Sequence, residues 1–173
     1  GVSYEECAYE GYGPGGVAIL IRVLTDNRNR STAEIRHIFD KKGGNMAGAG
    51  SVAWVFETRG MITVEKDKVD EDTLFTLALE AGAEDFEISD DVFEIYTDPS
   101  TFEDVKAAIK EKGIPTDVAE ITRIPKNEVK VDGDEARKVL ALVNDLEDHD
   151  DVQNVYANFD IPDEIIDESQ SED

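Results

Sequence analysis

The sequence predicts an α+β fold made of two ferredoxin-like βαββαβ modules, the second inserted into the first. Three observations predict it. Caps and glycine stops define four amphipathic helices, and β-branched or aromatic runs lie between them. The order β-α-β-β-α-β then appears twice, once from Met61 to Ile124 and once in the segments that flank this block.

Each helix has a start and a stop. Ser31-Thr32-Ala33-Glu34 reads as a capping box before Ile35, Ile38 and Phe39, with Gly43 as the stop. Asp70 opens a second helix carrying Leu74, Leu77, Ala78 and Ala81, closed by Gly82. Ser100-Thr101-Phe102-Glu103 is another capping box, followed by Val105 and Ile109 and stopped by Gly113. Asp132 or Asp134 opens the fourth, where Ala136, Val139, Leu140, Val143 and Leu146 recur at three- and four-residue spacing.

The strongest strand signals are Val17 to Thr25, Ser51 to Glu57, Met61 to Glu65, Val92 to Thr97, Val118 to Ile124 and Val152 to Tyr156. Glu5 to Glu10, Asp85 to Ser89 and Glu128 to Val131 are weaker. The expected organisation is a discontinuous module of residues 1–60 and 125–162, an inserted module of residues 61–124, and a tail. Gly60 and Ile124-Pro125-Lys126-Asn127 mark the two crossings, and a hairpin tip tolerates such an insertion because its ends lie close together. The tail, residues 163–173, is acidic with only Ile165 and Ile166 as apolar residues, and is expected to be disordered.

Apolar residues make up 40% of the 173, enough for a core. No apolar run reaches the about 18 residues of a membrane span, and no signal-peptide pattern opens the chain. Cys7 is the single cysteine, which fits a reducing compartment, the cytoplasm or a mitochondrial matrix. Net charge is −24, unevenly spread: residues 1–60 carry seven acids and seven bases, whereas residues 61–125 carry eighteen and six. An acidic body repels nucleic acid at long range, so any such contact falls to the first sixty residues. A solvated acidic surface accounts for the rest.

Within those sixty residues the candidate contacts are Tyr9, Tyr12, Asn27, Arg28, Asn29, Arg30, Lys41 and Lys42. Tyr9 and Tyr12 flank a glycine cluster, Gly11, Gly13, Gly15 and Gly16, and have faces on which bases can stack. That cluster matches G-x-G-x-x-G, but a strand follows where a dinucleotide site needs a helix, so it reads as a tight hairpin. Asn27-Arg28-Asn29-Arg30 precedes a helix N-terminus, where free N–H groups favour an anion and Arg28 and Arg30 offer forked donors. A surface loop whose arginines pair with nearby carboxylates explains the same residues. A second glycine loop carries Gly43, Gly44, Gly48 and Gly50 after Lys41 and Lys42. Trp54, in an expected strand, reads as core.

No catalytic constellation is evident, and an enzyme is not expected. Cys7, His37 and His149 form no nucleophile–base pair in sequence. Asp148-His149-Asp150-Asp151 reads as a helix-end charge cluster rather than a metal site. Asp67 to Asp72 lacks the glycine and final glutamate of a calcium loop. No metal or cofactor is expected.

Tyr9-Glu10-Gly11-Tyr12-Gly13-Pro14-Gly15-Gly16, Thr25-Asp26-Asn27-Arg28-Asn29-Arg30 and Gly43-Gly44-Asn45 with Gly50-Ser51-Val52-Ala53-Trp54 resemble the YebC/PmpR family. That family includes the mitochondrial translational activator of cytochrome c oxidase subunit one. The resemblance covers residues 1 to about 160. It implies a basic helical domain followed by two α/β modules, one inserted in the other. The basic helical domain is missing before the glycine–tyrosine motif, so a fragment or truncated form is expected. Met46-Ala47 stands where the family usually has Leu-Gly. The resemblance implies a translation factor acting on the ribosome or structured RNA, including relief of stalling at proline-rich stretches, or a DNA-binding transcriptional regulator. A small-molecule-sensing or enzymatic ferredoxin-like protein is a third reading. No membrane partner and a monomer are expected.

Overall fold

The computed structural model describes residues 2–171. Two compact units form: one runs up to Phe56 and resumes at Pro125, and the other is Glu57–Ile124. Both are mixed α+β.

The first unit opens on a hairpin. Strand β1, Glu5–Tyr12, pairs antiparallel with β2, Ala18–Thr25, from Glu5↔Thr25 to Tyr12↔Ala18. A short 3-10 turn, Pro14–Gly16, joins them. Helix α1, Arg28–Lys41, follows, then the three-residue strand β3, Asn45–Ala47, which returns to pair with β1. After the second unit come β8, Val129–Lys130; α4, Gly133–Glu147; β9, Val152–Ala157; β10, Phe159–Asp160; and α5, Asp163–Gln170.

The main sheet has the order β3-β1-β2-β9. A ferredoxin-like sheet places its fourth strand beside the first, then the third and second. Here the place of the third strand is taken by β1. Val129–Lys130, expected to fill it, instead makes a small parallel pair with Phe159–Asp160. The substitution follows from length, since eight paired residues of β1 outcompete two.

Period-two alternation sends the odd residues of β2 to one face. Val17, Ile19, Ile21 and Val23 pack there against Ile35 and Phe39 of α1 and Val139, Leu142 and Leu146 of α4. Burying Ile35 and Phe39 contributes about 2–3 kcal/mol each. The even residues Ala18 and Leu20 face the other way, under Val52, Val55 and Phe56.

The second unit runs β4, Phe56–Glu65; α2, Glu71–Ala81; β5, Asp85–Ile88; β6, Val92–Thr97; α3, Phe102–Glu111; and β7, Val118–Pro125. Its sheet order is β5-β6-β4-β7, the ferredoxin-like arrangement without substitution. Asp70 caps α2 by accepting from the Thr73 N–H at 3.3 Å. Ile62, Val64, Leu74, Ile95, Val105 and Ile109 make its core.

Four expectations are corrected. No strand spans Ser51 to Glu57: Ala53–Val55 is a 3-10 turn, and Phe56 already begins β4. Gly60 does not mark a crossing. It lies inside β4, opposite Thr97, where a Cβ would run into Phe102. Helix α1 begins three residues earlier than Ser31, capped by Asn27. The tail is not disordered over residues 163–171, because α5 buries Ile165 in the main core and Glu168 pairs with Arg137 at 3.3 Å. The end of the expected tail, residues 172–173, lies outside the described residues.

Candidate nucleic-acid interface

The start of α1 is set by two polar side chains with separate tasks. Asn27 Oδ1 accepts from the Arg30 N–H at 3.1 Å and caps the helix. Ser31, fully buried, turns its hydroxyl to Asp151 Oδ2 at 2.6 Å, with Thr25 Oγ1 2.7 Å away. Asp151 also receives Arg30 at 2.7 Å, and Arg30 reaches Asp26 at 3.2 Å and Glu34 at 3.8 Å. The hydrogen bond to Asp151 raises the Arg30 pKa further above its already high value. The Ser31 hydroxyl, with Arg30 beside it, holds the Asp151 carboxyl below the usual carboxylate range despite its burial. Arg30 is therefore a structural tie, and its expected role as a phosphate donor is not what the geometry provides. Arg28 and Asn29 are exposed, and Arg28 has no ion pair among the described residues.

His149 completes this anchor. Its Nδ1 accepts from the Asp151 N–H at 3.1 Å, so the ring proton lies on Nε2, which donates to Glu34 Oε2 at 2.5 Å. Glu34, His149 and Asp151 have ligand atoms within 4.8 Å of one another, close enough in principle for a metal. Asp151 Oδ2 already accepts from Ser31 and Arg30 and His149 Nδ1 from the backbone, and the Arg30 guanidinium would oppose a cation. The cluster fits a helix anchor better than a metal site.

The other face of β1 carries a feature the sequence reading missed. Glu10 is only 6% exposed. Its carboxylate accepts from the backbone N–H groups of Gly50 at 2.6 Å, Val52 at 2.8 Å and Ala53 at 2.6 Å. Burial pushes its pKa up, but the three donors outweigh burial and hold it below the ordinary 4.5. Three N–H groups converging on one carboxylate bend the 48–54 segment into a fixed turn. Gly50 takes φ +87°, which suits glycine alone. The turn displays Trp54, 63% exposed, with its Nε1 donating to Ser51 O at 2.9 Å. Trp54 is thus a surface residue, not core, and its indole face is open for stacking.

The two tyrosines part company because neighbouring strand residues face opposite ways. Tyr9 is buried against α1, with its hydroxyl 2.7 Å from Thr32 Oγ1, so it cannot stack on a base. Tyr12 is half-buried beneath the Trp54 turn, with its hydroxyl donating to Ser51 O at 3.4 Å.

Cations gather at the far end of α1. Lys41, Lys42 and Gly43 line a cleft with Arg137 and Lys138 of α4. Lys42 pairs with Asp145 at 3.4 Å, and Arg137 with Asp134 at 3.0 Å. Lys41 and Lys138 are exposed and have no ion pair among the described residues. Sequence reading found Lys41 and Lys42 but not Arg137 and Lys138, which lie almost a hundred positions away in an acidic stretch. The asparagine–arginine segment and this cleft lie at opposite ends of α1.

A ferredoxin-like unit set into the chain of a second α+β unit, whose glycine turn is held by a buried carboxylate, defines the architecture. The chain belongs to the TACO1/YebC family: residues 4–159 match the family's second and third domain. Relatives named "probable transcriptional regulatory protein" include one from Dictyoglomus turgidum, 61% identical over 96% of this chain and 67% of its own length. Another, from Syntrophus aciditrophicus, is 54% identical over 96% of this chain and 66% of its own. The chain thus spans about two-thirds of the relatives it matches. The crystal structure of a conserved hypothetical protein, Aq1575, from Aquifex aeolicus is similar, with TM-score 0.82 and 46% identity over 94% of this chain and 67% of that one. No helix among the described residues is long and apolar enough to cross a membrane.

Proposed function

We propose that this chain is the RNA-facing part of a non-enzymatic translation factor that docks on the ribosome or on structured RNA. The observation that carries the reading is Trp54, an exposed indole on a rigid, carboxylate-held turn. Unpaired bases stack on such a side chain, for about 1–3 kcal/mol per base. Duplex DNA offers no unstacked base for such a side chain. Lys41, Lys138 and Arg28 supply local cations for backbone phosphates. The relatives' names favour a second reading, a DNA-binding transcriptional regulator.

Co-sedimentation with ribosomes, alongside promoter-DNA binding at matched salt, tests the choice. Ribosome association by the full chain, weakened at least tenfold by Trp54→Ala with unchanged melting temperature, is the expected result. Sequence-specific DNA binding without ribosome association would establish the second reading instead.

A further inference from the structure

The second unit carries an exposed apolar surface. On α2, Phe75 and Leu79 are 45% and 59% exposed, one turn apart. Phe86 of β5 meets Phe75 edge to face at 5.4 Å, and Ile88, two residues on, is 55% exposed. Phe75, Leu79, Ala83 and Phe86 line a cleft of about 220 Å³ between helix and strand, room for an aliphatic side chain.

Beside the cleft lies an open sheet edge. Strand β5 ends its sheet and pairs only with β6. Ser89 N–H donates to Val92 O at 3.0 Å and closes the β5–β6 hairpin. Bonded pairs alternate along an antiparallel ladder, so Glu87 and Asp85 turn their backbone groups inward to Glu94 and Tyr96. Phe86 and Ile88 turn theirs outward. The Phe86 N–H is met by Asp85 Oδ1 at 2.9 Å. The Phe86 carbonyl and both backbone groups of Ile88 face away from the ladder.

We propose that this edge and cleft receive an extended, lysine- or arginine-bearing segment of a partner protein as an added fifth strand. Added strands bind through backbone hydrogen bonds and gain specificity from alternate side chains entering a neighbouring cleft. Charge selects the occupant. Residues 57–124 carry nineteen acids and seven bases, and Glu84 and Asp85 line the cleft. Arg59 offsets Glu84, at 3.1 Å, and leaves the sign of the surface negative. Nucleic acid is repelled here. A second copy of the chain would bring the same acids face to face, which guards the edge against self-pairing. A basic strand with an apolar residue at every second position satisfies the backbone, the cleft and the charge together.

Fluorescence anisotropy with the full chain tests this. The probe is a labelled seven-residue peptide that alternates lysine with valine or leucine, and its control carries glutamate for lysine. Binding of the basic peptide at least tenfold tighter than the control, weakened by salt, is expected. Hydrogen exchange of the Phe86 and Ile88 amides should slow when it binds. Ile88→Pro removes an outward N–H without breaking the ladder, and Leu79→Lys replaces an exposed apolar side chain of the cleft with a positive charge that would repel a basic strand. Each should lower affinity at least tenfold, and a retained melting temperature shows that the fold is intact. No preference for the basic peptide, or equal binding by both variants, overturns the proposal. So does a concentration-dependent dimer abolished by Ile88→Pro, which would assign the edge to a second copy.

Discussion

The Glu10 carboxylate accepts the Val52 N–H at 2.8 Å across forty-two positions of sequence. With Gly50 and Ala53 as further donors, this contact decides where Trp54 points. Replacing Glu10 by Ala leaves three N–H groups without their acceptor, at a cost of about 2–4 kcal/mol. The expected outcome is a lower melting temperature with faster amide exchange at residues 50–54. Trp54 is the only tryptophan, so its emission maximum reports the turn directly. An unchanged emission maximum and unchanged exchange in Glu10→Ala would remove Glu10 from this role.

Acid should loosen the same turn. Glu10 is held below its ordinary 4.5 by the backbone donors, against the effect of burial. A depressed carboxylate contributes its full stabilisation above the unfolded value and loses it as pH falls through the folded value. Stability should therefore decline below about pH 4.5 as protons compete for Glu10, and Asp151 adds to the decline lower down because its pKa is lowered from 3.8. Urea melts followed by Trp54 emission between neutral pH and pH 3 check this. Glu10→Gln should flatten the upper part of the profile.

The elements set by local chemistry were legible in the sequence. Asp70 accepts from the Thr73 N–H as its capping position predicts, and the β4–β7 unit has the order read from caps and strand runs. What stayed hidden depended on distant partners. Ser31 looks like a cap, yet its hydroxyl goes to Asp151 and Asn27 takes the cap. Ser51 to Glu57 looks like a strand, yet Glu10 draws the Val52 and Ala53 N–H groups away from any ladder. Composition marked the tail as disordered, but one isoleucine reaching the core and an Arg137–Glu168 pair fold α5 onto α4. In the candidate interface, residue types drew attention to the glycine and asparagine–arginine segments, while the exposure of Trp54 and the ties on Arg30 required the tertiary structure.

Arg28 and Arg30 should separate in their effects. Arg30 joins Asp26, Glu34 and Asp151, so Arg30→Ala should lower the melting temperature and raise exchange at the start of α1. Arg28 has no ion pair among the described residues, and Arg28→Ala should leave stability within about 0.5 kcal/mol. Any loss of RNA association in Arg28→Ala would then reflect contact rather than unfolding. Equal melting temperatures for the two variants would contradict the anchor role given to Arg30.

Two glycines, one in strand β1 and one in the loop after β3, provide a final contrast between backbone that must be bare and backbone that merely is. A Cβ on Gly11 would lie 2.7 Å from the Asn45 carbonyl oxygen and 2.7 Å from the Phe39 ring. The carbonyl belongs to the β1–β3 ladder and the ring to the main core, so neither can yield cheaply. Gly11→Ala should cost about 1–3 kcal/mol, as overpacking does. A Cβ on Gly48 meets nothing within 4 Å, and Gly48 is not among the positive-φ glycines. Gly48→Ala should be neutral or slightly stabilising, because it narrows the unfolded ensemble without a clash. Paired thermal melts measure both. If a ribosome association is found and Gly48→Ala keeps it, the bare backbone at residue 48 is not needed for it.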